Sequence, residues 1–397
     1  MQWIPFPMSK LLEAIALASV SAEDQGVATA AADGSTQECN SKGAYHALFR
    51  TGKAIDTMMT KGHIGDIRDV FLSERHTKAY CRLEVESNGV EALRPGGTPL
   101  PFNAVITLNL SRKCDLVNCI DLVFHDPEHR YTKIDSLLKS LRVDIGGQTI
   151  DRISCDATLF DAVCAVHKMG PGMSRRGDKV IVPLPLAPFH KEELLALCGL
   201  EHHGVQVHVT FADGVSVLDA EGTDIQAYGD AYYLVNKRKA MEYEMRVSQL
   251  SYISVGSTVE GGGASRHKVG FNHPCTMLMF WGGNHADGVA LSDSVATTVT
   301  NVGLFLDGAS YYDGPLWALE RNKEKRGLGG VRPTCFFFSD EDPRWSTQGA
   351  VNFTMFDNVE LVIETVKGTP SFEVWVAVVS VQPLRITNGF GGLAFSK

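Results

Sequence analysis

Thirteen histidines and nine cysteines are the residues from which a metal or catalytic site would be built. His202-His203 with His208 is the densest histidine group. A cupin-type metal site needs His-x-His, a downstream Glu and a later His on a neighbouring strand, and this spacing does not supply them. Val205, Val207 and Val209 alternate with Gln206 and His208, which predicts a strand with one polar face. His125 and His129 have i,i+4 spacing, but Pro127 between them breaks a helical ligand face and predicts a turn. The cysteines (Cys39, Cys81, Cys114, Cys119, Cys155, Cys164, Cys198, Cys275 and Cys335) contain no Cys-x-x-Cys pair. They read as free, mostly buried thiols of a reducing compartment. Gly261-Gly262-Gly263 and Gly329-Gly330 are not followed by Lys-Ser/Thr, so a phosphate cradle is unsupported. Arg175-Arg176 and Lys323–Arg326 read as solvated loops. Asn109-Leu110-Ser111 and Asn352-Phe353-Thr354 match the glycosylation sequon, and both triplets fall inside expected strands. No catalytic residue, metal ligand or cofactor is assigned.

The elements that carry these residues are mostly strands. Charged residues make up 21% and hydrophobic residues 44% of 397 residues, enough for a substantial core in two domains or one large all-β unit. The net charge of −9 disfavours nucleic-acid binding. No run of eighteen apolar residues predicts a membrane span. Met8, Leu11, Leu12, Ile15 and Ser19 share one helical face behind Ser9 as N-cap. Glu13 and the lack of a basic cluster argue against a signal peptide. Residues 21–45 are rich in Ala, Gly, Ser and Thr and read as a flexible linker.

From about residue 46 short β-rich runs alternate with Gly, Pro and Asn/Asp, the pattern of sandwiches or barrels. The expected strands are 105–110, 119–124, 141–145, 180–184, 205–211, 232–235, 277–281, 299–306, 335–338, 352–356, 359–365 and 372–381. Helical patterns are brief, at 156–167, 190–198 and 237–250. A faint repeat links two halves: Leu141–Ile145 runs into Gly146-Gly147, and Val302–Leu306 runs into Asp307-Gly308 about 160 residues on. Gly146 and Gly308 are expected at equivalent strand-reversing turns. Gly147, Gly349, Gly391 and Gly392 complete the expected turn glycines.

Several segments resemble the major capsid proteins of nucleocytoplasmic large DNA viruses. Gly52, Asp56, Gly62 and Arg75-His76-Thr77 match the opening of the family's first jelly roll, with His63-Ile64 in place of its Asn-Pro. Asp144–Arg152 (DIGGQTIDR) is close to the family's Ile-Gly-Gly-Gln-x-Ile-Asp-Arg. Tyr232-Tyr233-Leu234 resembles the strand before the connecting helix, without the acidic residue that follows it there. Phe271-Asn272-His273-Pro274 matches an Asn-His-Pro ahead of a strand ending in Trp281. Residues 346–358 (STQGAVNFTMFDN) and the closing GFGGLAF resemble the family's C-terminal end. The five motifs are collinear over residues 46–397.

The resemblance implies an all-β chain of two tandem eight-stranded antiparallel jelly rolls with short connecting helices. Residues 1–45 would be an N-terminal arm, 46–236 the first jelly roll and 237–397 the second. It implies a structural protein of the virion capsid, assembled in the host cytoplasm as a homotrimer with a pseudo-hexagonal outline. Implied partners are other copies of itself, minor capsid and penton proteins and an inner membrane surface met by the arm, with no direct nucleic acid binding. Two other readings stay open here: a jelly-roll scaffold absent from the mature particle, and a bicupin or amidase-like enzyme.

Overall fold

The computed structural model describes residues 76–88, 104–126, 128–191, 193–213, 215, 225–237, 243–259, 263–284, 289–290, 299–338, 350–367 and 372–394. The expected N-terminal helix and linker, Gly52, Asp56, Gly62, Arg75 and Gly349 lie outside the described residues.

The first half carries β1 (His76–Leu83), β2 (Val85–Asn88), β3 (Val105–Leu110), β4 (Leu116–His125), β5 (Leu138–Ile145), β6 (Gln148–Ser154), β7 (Ser174–Arg176), β8 (Lys179–Pro183), β9 (Leu195–Ala196), β10 (Val205–Phe211) and β11 (Gln226–Leu234). One sheet runs β1-β11-β4-β8-β7, with β9 on β4; the other runs β2-β3-β10-β5-β6. The second half carries β12 (Tyr243–Val259), β13 (Ala264–Lys268), β14 (Pro274–Asn284), β15 (Val289–Ala290), β16 (Val299–Leu306), β17 (Ala309–Pro315), β18 (Thr334–Phe337), β19 (Val351–Asn352), β20 (Val359–Thr365), β21 (Phe372–Thr387) and β22 (Phe390–Leu393). Its sheets run β12-β21-β14, with β15, β18, β19 and β22 added, and β13-β20-β16-β17.

The two halves repeat one crossover pattern. In each, the opening strand pairs with one near the end of the half, which in turn pairs with an early inner strand (β1-β11-β4 and β12-β21-β14). The facing sheets match as well, β3-β10-β5-β6 against β13-β20-β16-β17. Among the described residues all pairings are antiparallel, for example β4 with β8 and β16 with β20. Each half is therefore a jelly roll.

Alternation builds the cores. In β10, Val205, Val207, Val209 and Phe211 are buried, while Gln206, His208 and Thr210 face outward. The strands β14 and β21 instead read as near-continuous apolar runs, because both faces are covered. Leu278, Phe280, Val374, Val376 and Val378 fill the second sandwich. Met277, Met279, Trp281, Ala377 and Val379 point the other way, into a cluster continuous with the core of the first. One sheet thus serves as inner wall of its own sandwich and as the surface against which the other packs.

Local chemistry explains where expectation and structure part. The helix α1 (Ile134–Leu137) is one turn. The expected helix at 156–167 is present as α2 (Ala157–Val166), capped by Asp156, whose Oδ1 accepts the Leu159 N–H at 3.0 Å. The helix expected at 190–198 is absent. Leu194, Leu195, Ala196 and Leu197 are all buried, which suits β9 and a 3-10 turn wedged between layers rather than an amphipathic helix. Within 237–250 the described residues 243–250 belong to β12, not to a helix; Tyr243, Met245 and Val247 alternate into the core cluster. The strand expected at 352–356 stops at Asn352. Its side chain accepts from the Thr354 N–H and hydroxyl, which closes a 3-10 turn over Phe353–Met355.

The basic segments are not loops, and two of their residues are tied into the fold while Arg176 and Lys325 stay exposed. Lys323 lies on α3 (Leu316–Lys325), buried, donating to the carbonyls of Val331 and Pro333. Arg175 is tied to Asp126 and the Tyr131 carbonyl.

Candidate functional site: the joint between the sandwiches

The residues that matter most converge where β6 of the first jelly roll meets β12 and β22 of the second. They are built onto a two-residue turn. Ile145 pairs with Gln148 across Gly146 and Gly147, whose φ values are +59° and +82°. Positive φ at both positions is the hairpin geometry that matches strand twist, and glycine adopts it without Cβ strain. In the second half Leu306 pairs with Ala309 across Asp307 (φ +47°) and Gly308 (φ +78°). Gly308 therefore occupies the place of Gly147, and Asp307 that of Gly146, one position off the expected match. Asp307 earns its place with its side chain: Oδ1 accepts the Asn358 N–H at 2.8 Å. Asn358 closes the 346–358 segment that resembles the capsid family.

Gly391 and Gly392 are not turn residues. The turn falls at Asn388 (φ +53°) and Gly389 (φ +80°), and both later glycines lie within β22. They are needed because the chain runs close to its neighbours. A Cβ on Gly391 would meet Leu200 Cδ2 at 2.4 Å, and one on Gly392 would meet Gln148 Oε1 at 2.6 Å.

The contacts made there tie the C-terminal hairpin to the first jelly roll. The Leu393 N–H donates to Gln148 Oε1 at 3.0 Å. The His202 N–H donates to the Gly389 carbonyl at 2.9 Å. His203 Nδ1 lies 2.8 Å from the Gly391 carbonyl, and its ring meets Phe390 edge-on. A Cβ on Gly146 would sit 2.1 Å from that His203 nitrogen. The His202-His203 pair is thus a packing element of the joint.

A second set of contacts covers the free edge of β12. An edge strand exposes unpaired N–H groups that must be covered. Two buried carboxylates of the first jelly roll do so: Glu193 Oε1 accepts the Ser248 N–H at 2.8 Å, and Asp151 Oδ1 accepts the Leu250 N–H at 3.4 Å. Asp151 also accepts from the Ala187 N–H at 3.0 Å. Gln249 donates to the Ile150 carbonyl. Tyr243 accepts the Ala196 N–H at 2.9 Å. Gln148 and Asp151, the polar residues of the DIGGQTIDR segment, are therefore joint residues.

The other singled-out groups lie elsewhere. His208 Nδ1 is 2.9 Å from Thr107 Oγ1, and Nε2 is 3.1 Å from Asp144, on the polar outer face of β10. His125 pairs with Asp178. Asn109 accepts from Gln206 at 2.9 Å, so both sequon carboxamides, Asn109 and Asn352, are engaged within the fold. Among the described residues all eight cysteines are free thiols. Burial pushes up Cys114 and Cys198 to about 11 and Cys335 to about 12. No group of three or more His, Cys, Asp or Glu that could hold a metal occurs among the described residues.

No protein-family model matches the chain. It is 24% identical to the major capsid protein of Pyramimonas orientalis virus, over 74% of this chain and 87% of that one. Among solved structures it is similar to PBCV-1 VP54, with a TM-score of 0.60 at 17% identity, covering 82% of this chain and 98% of that one. The Faustovirus major capsid protein gives a TM-score of 0.53 at 8% identity, covering 79% and 91%. The twice-repeated jelly-roll topology and the sequence match make the chain similar, in fold and in sequence, to the double jelly-roll major capsid proteins of large double-stranded DNA viruses.

Proposed function

We propose that the chain builds the shell of an icosahedral virion as a homotrimer of pseudo-hexagonal outline. The observation that carries this is the joint. Two sandwiches of the same strand order share a buried wall and are bound by carboxylate and C-terminal contacts. A threefold array of such a pair presents six similar units from one gene product. Self-association follows from the capsid role; its surfaces are the proposal. Trp317 and Val235 are 68% and 79% exposed, and large exposed apolar residues are the usual anchors of interfaces. Burying apolar area there is worth about 25 cal/mol per Å² before ordering costs.

In this reading residues 46–236 and 237–397 are the two units. The arm at 1–45 reaches the inner side of the shell, toward minor capsid proteins or a membrane surface, and assembly takes place in the host cytoplasm. Penton proteins are the expected partners at the vertices. Mass measurement with negative-stain microscopy on the purified protein tests the core of it. Trimers with a hexagonal outline are expected; a stable 43.2 kDa monomer across micromolar concentrations overturns it. Deletion of residues 1–45 is expected to leave trimers intact and weaken shell assembly.

A further inference from the structure

Between the two jelly rolls lies a buried group of titratable side chains that the shell-building role does not require. His167, the C-cap of α2, stacks face to face on His190, with ring centroids 3.4 Å apart and planes 7° off parallel. Both rings are buried. His190 Nδ1 lies 3.4 Å from Glu193 Oε1. The same Glu193 oxygen accepts the Ser248 N–H from the edge of β12. Glu193 is 4% exposed, and its Oε2 has no hydrogen-bond partner among the described residues. Asp151 on β6 adds a second negative charge on this side.

A carboxylate this deeply buried is costly without a positive partner. His190 is the group placed to supply one. An imidazolium there neutralises Glu193, and the flat His167 ring covers its face. We propose that His190, Glu193 and the stacked His167 form a proton-dependent latch between the two sandwiches, closed on the edge of β12 when His190 is protonated and slackened when it is not. The groups facing His190 are His167 from α2, Asp151 from β6 and Glu193 from its own loop; β12 contributes the Ser248 N–H.

Electrostatics agree with the geometry. Burial alone pulls the His190 imidazole down, but Glu193, with Asp151 behind it, outweighs that and holds it above its ordinary value. A histidine raised in the folded state contributes stability that is full below its unfolded value near 6.5 and is lost as pH rises through the folded one. The latch is therefore tightest in mild acid and loosens toward alkaline pH.

Hydrogen–deuterium exchange on the purified full chain tests this at pH 6.0 and 8.5, with rates corrected for chemical exchange. Peptides spanning residues 243–252 are expected to lose at least fivefold in protection at the higher pH, while β20 in the second core changes little. Glu193→Gln keeps the acceptor oxygen and removes the charge, so it should flatten that dependence. Equal protection of the wild-type peptides at both pH values, or an unchanged dependence in Glu193→Gln, overturns the latch. Should that variant fail to fold, exchange of the imidazole C2 hydrogens in the wild type decides. His190 titrating above an ordinary imidazole supports the latch; titration at or below that value overturns it.

Discussion

Gln148 and Leu393 are 245 residues apart in the chain and joined by a 3.0 Å hydrogen bond, with the Leu393 N–H donating to Gln148 Oε1. The bond links a residue beside the first jelly roll's hairpin to the end of the second jelly roll's last hairpin. Two segments that resemble the capsid family on separate grounds, DIGGQTIDR and GFGGLAF, thus meet in space. Their shared role is to hold two sandwiches in one arrangement.

Gln148→Ala should remove the acceptor and leave the Leu393 N–H unpaired, at a cost of about 1–2 kcal/mol. Gln148→Glu, which keeps an acceptor oxygen, should retain more of the stability. Chemical denaturation of the three proteins orders them, and Gln148→Ala as stable as the wild type would show that this bond carries no weight.

Gly146 and Gly147 separate two physical effects. At Gly147 a Cβ meets nothing within 4 Å, so Gly147→Ala bears only the strain of positive φ, about 1 kcal/mol. At Gly146 the same strain is joined by collision with the His203 ring, so Gly146→Ala should lose at least about twice as much. Gly308→Ala, also with open space around the added atom, should behave like Gly147→Ala. Melting temperatures of the three variants give the comparison directly.

Asp126 should make the first jelly roll acid-sensitive. Its side chain is buried against Arg175, with Oδ2 2.5 Å from Nη2. Burial pushes the carboxyl up, but the Arg175 guanidinium and the N–H groups of Tyr131 and Arg130 outweigh it and hold it below the usual carboxylate value. A depressed folded value contributes stability above the unfolded one near 3.9, and that stability is lost as pH falls through the folded one. Arg175→Met should destabilise the protein at pH 7 and shrink the stability lost on acidification below pH 4. Unfolding curves from pH 2.5 to 7 check both effects.

Lys323 is a buried cation held by Glu320 at 2.5 Å and by the carbonyls of Val331 and Pro333. Lys323→Met keeps the stem, strips both carbonyls of their donor and leaves Glu320 with its Thr334 hydrogen bond but no cation. A loss of about 2–4 kcal/mol is expected. Thermal unfolding of this variant within 1 °C of the wild type would refute the account.

Period-two alternation is a local property, and it was readable wherever a strand buries one face. Val205–Phe211, Val299–Leu306 and Val359–Thr365 lie at the bounds their patterns predict. The Asp156 cap and the Ile145–Gln148 turn are equally local: a side chain finds a backbone three residues on, or glycine relieves a positive φ. The family resemblance was readable too, from collinear short motifs.

Tertiary structure decided what those motifs do. Asp151 and Glu193 serve N–H groups of β12 that are about 100 and 55 residues away in the chain, and nothing in their own neighbourhood marks a carboxylate as the cover of a distant strand edge. Residues 243–250 read as a charged helix because of the charges in and before them, although Tyr243, Met245 and Val247 alternate into one core; only pairing with β21 settles such a segment as a strand. The strand expected through Phe353 failed for the opposite reason, since a single Asn352 side chain bonding two residues ahead outweighs three alternating apolar residues. Local patterns specify which way a side chain points from its own backbone. Which surface it meets depends on closing long loops, and that is fixed only when the two jelly rolls come together.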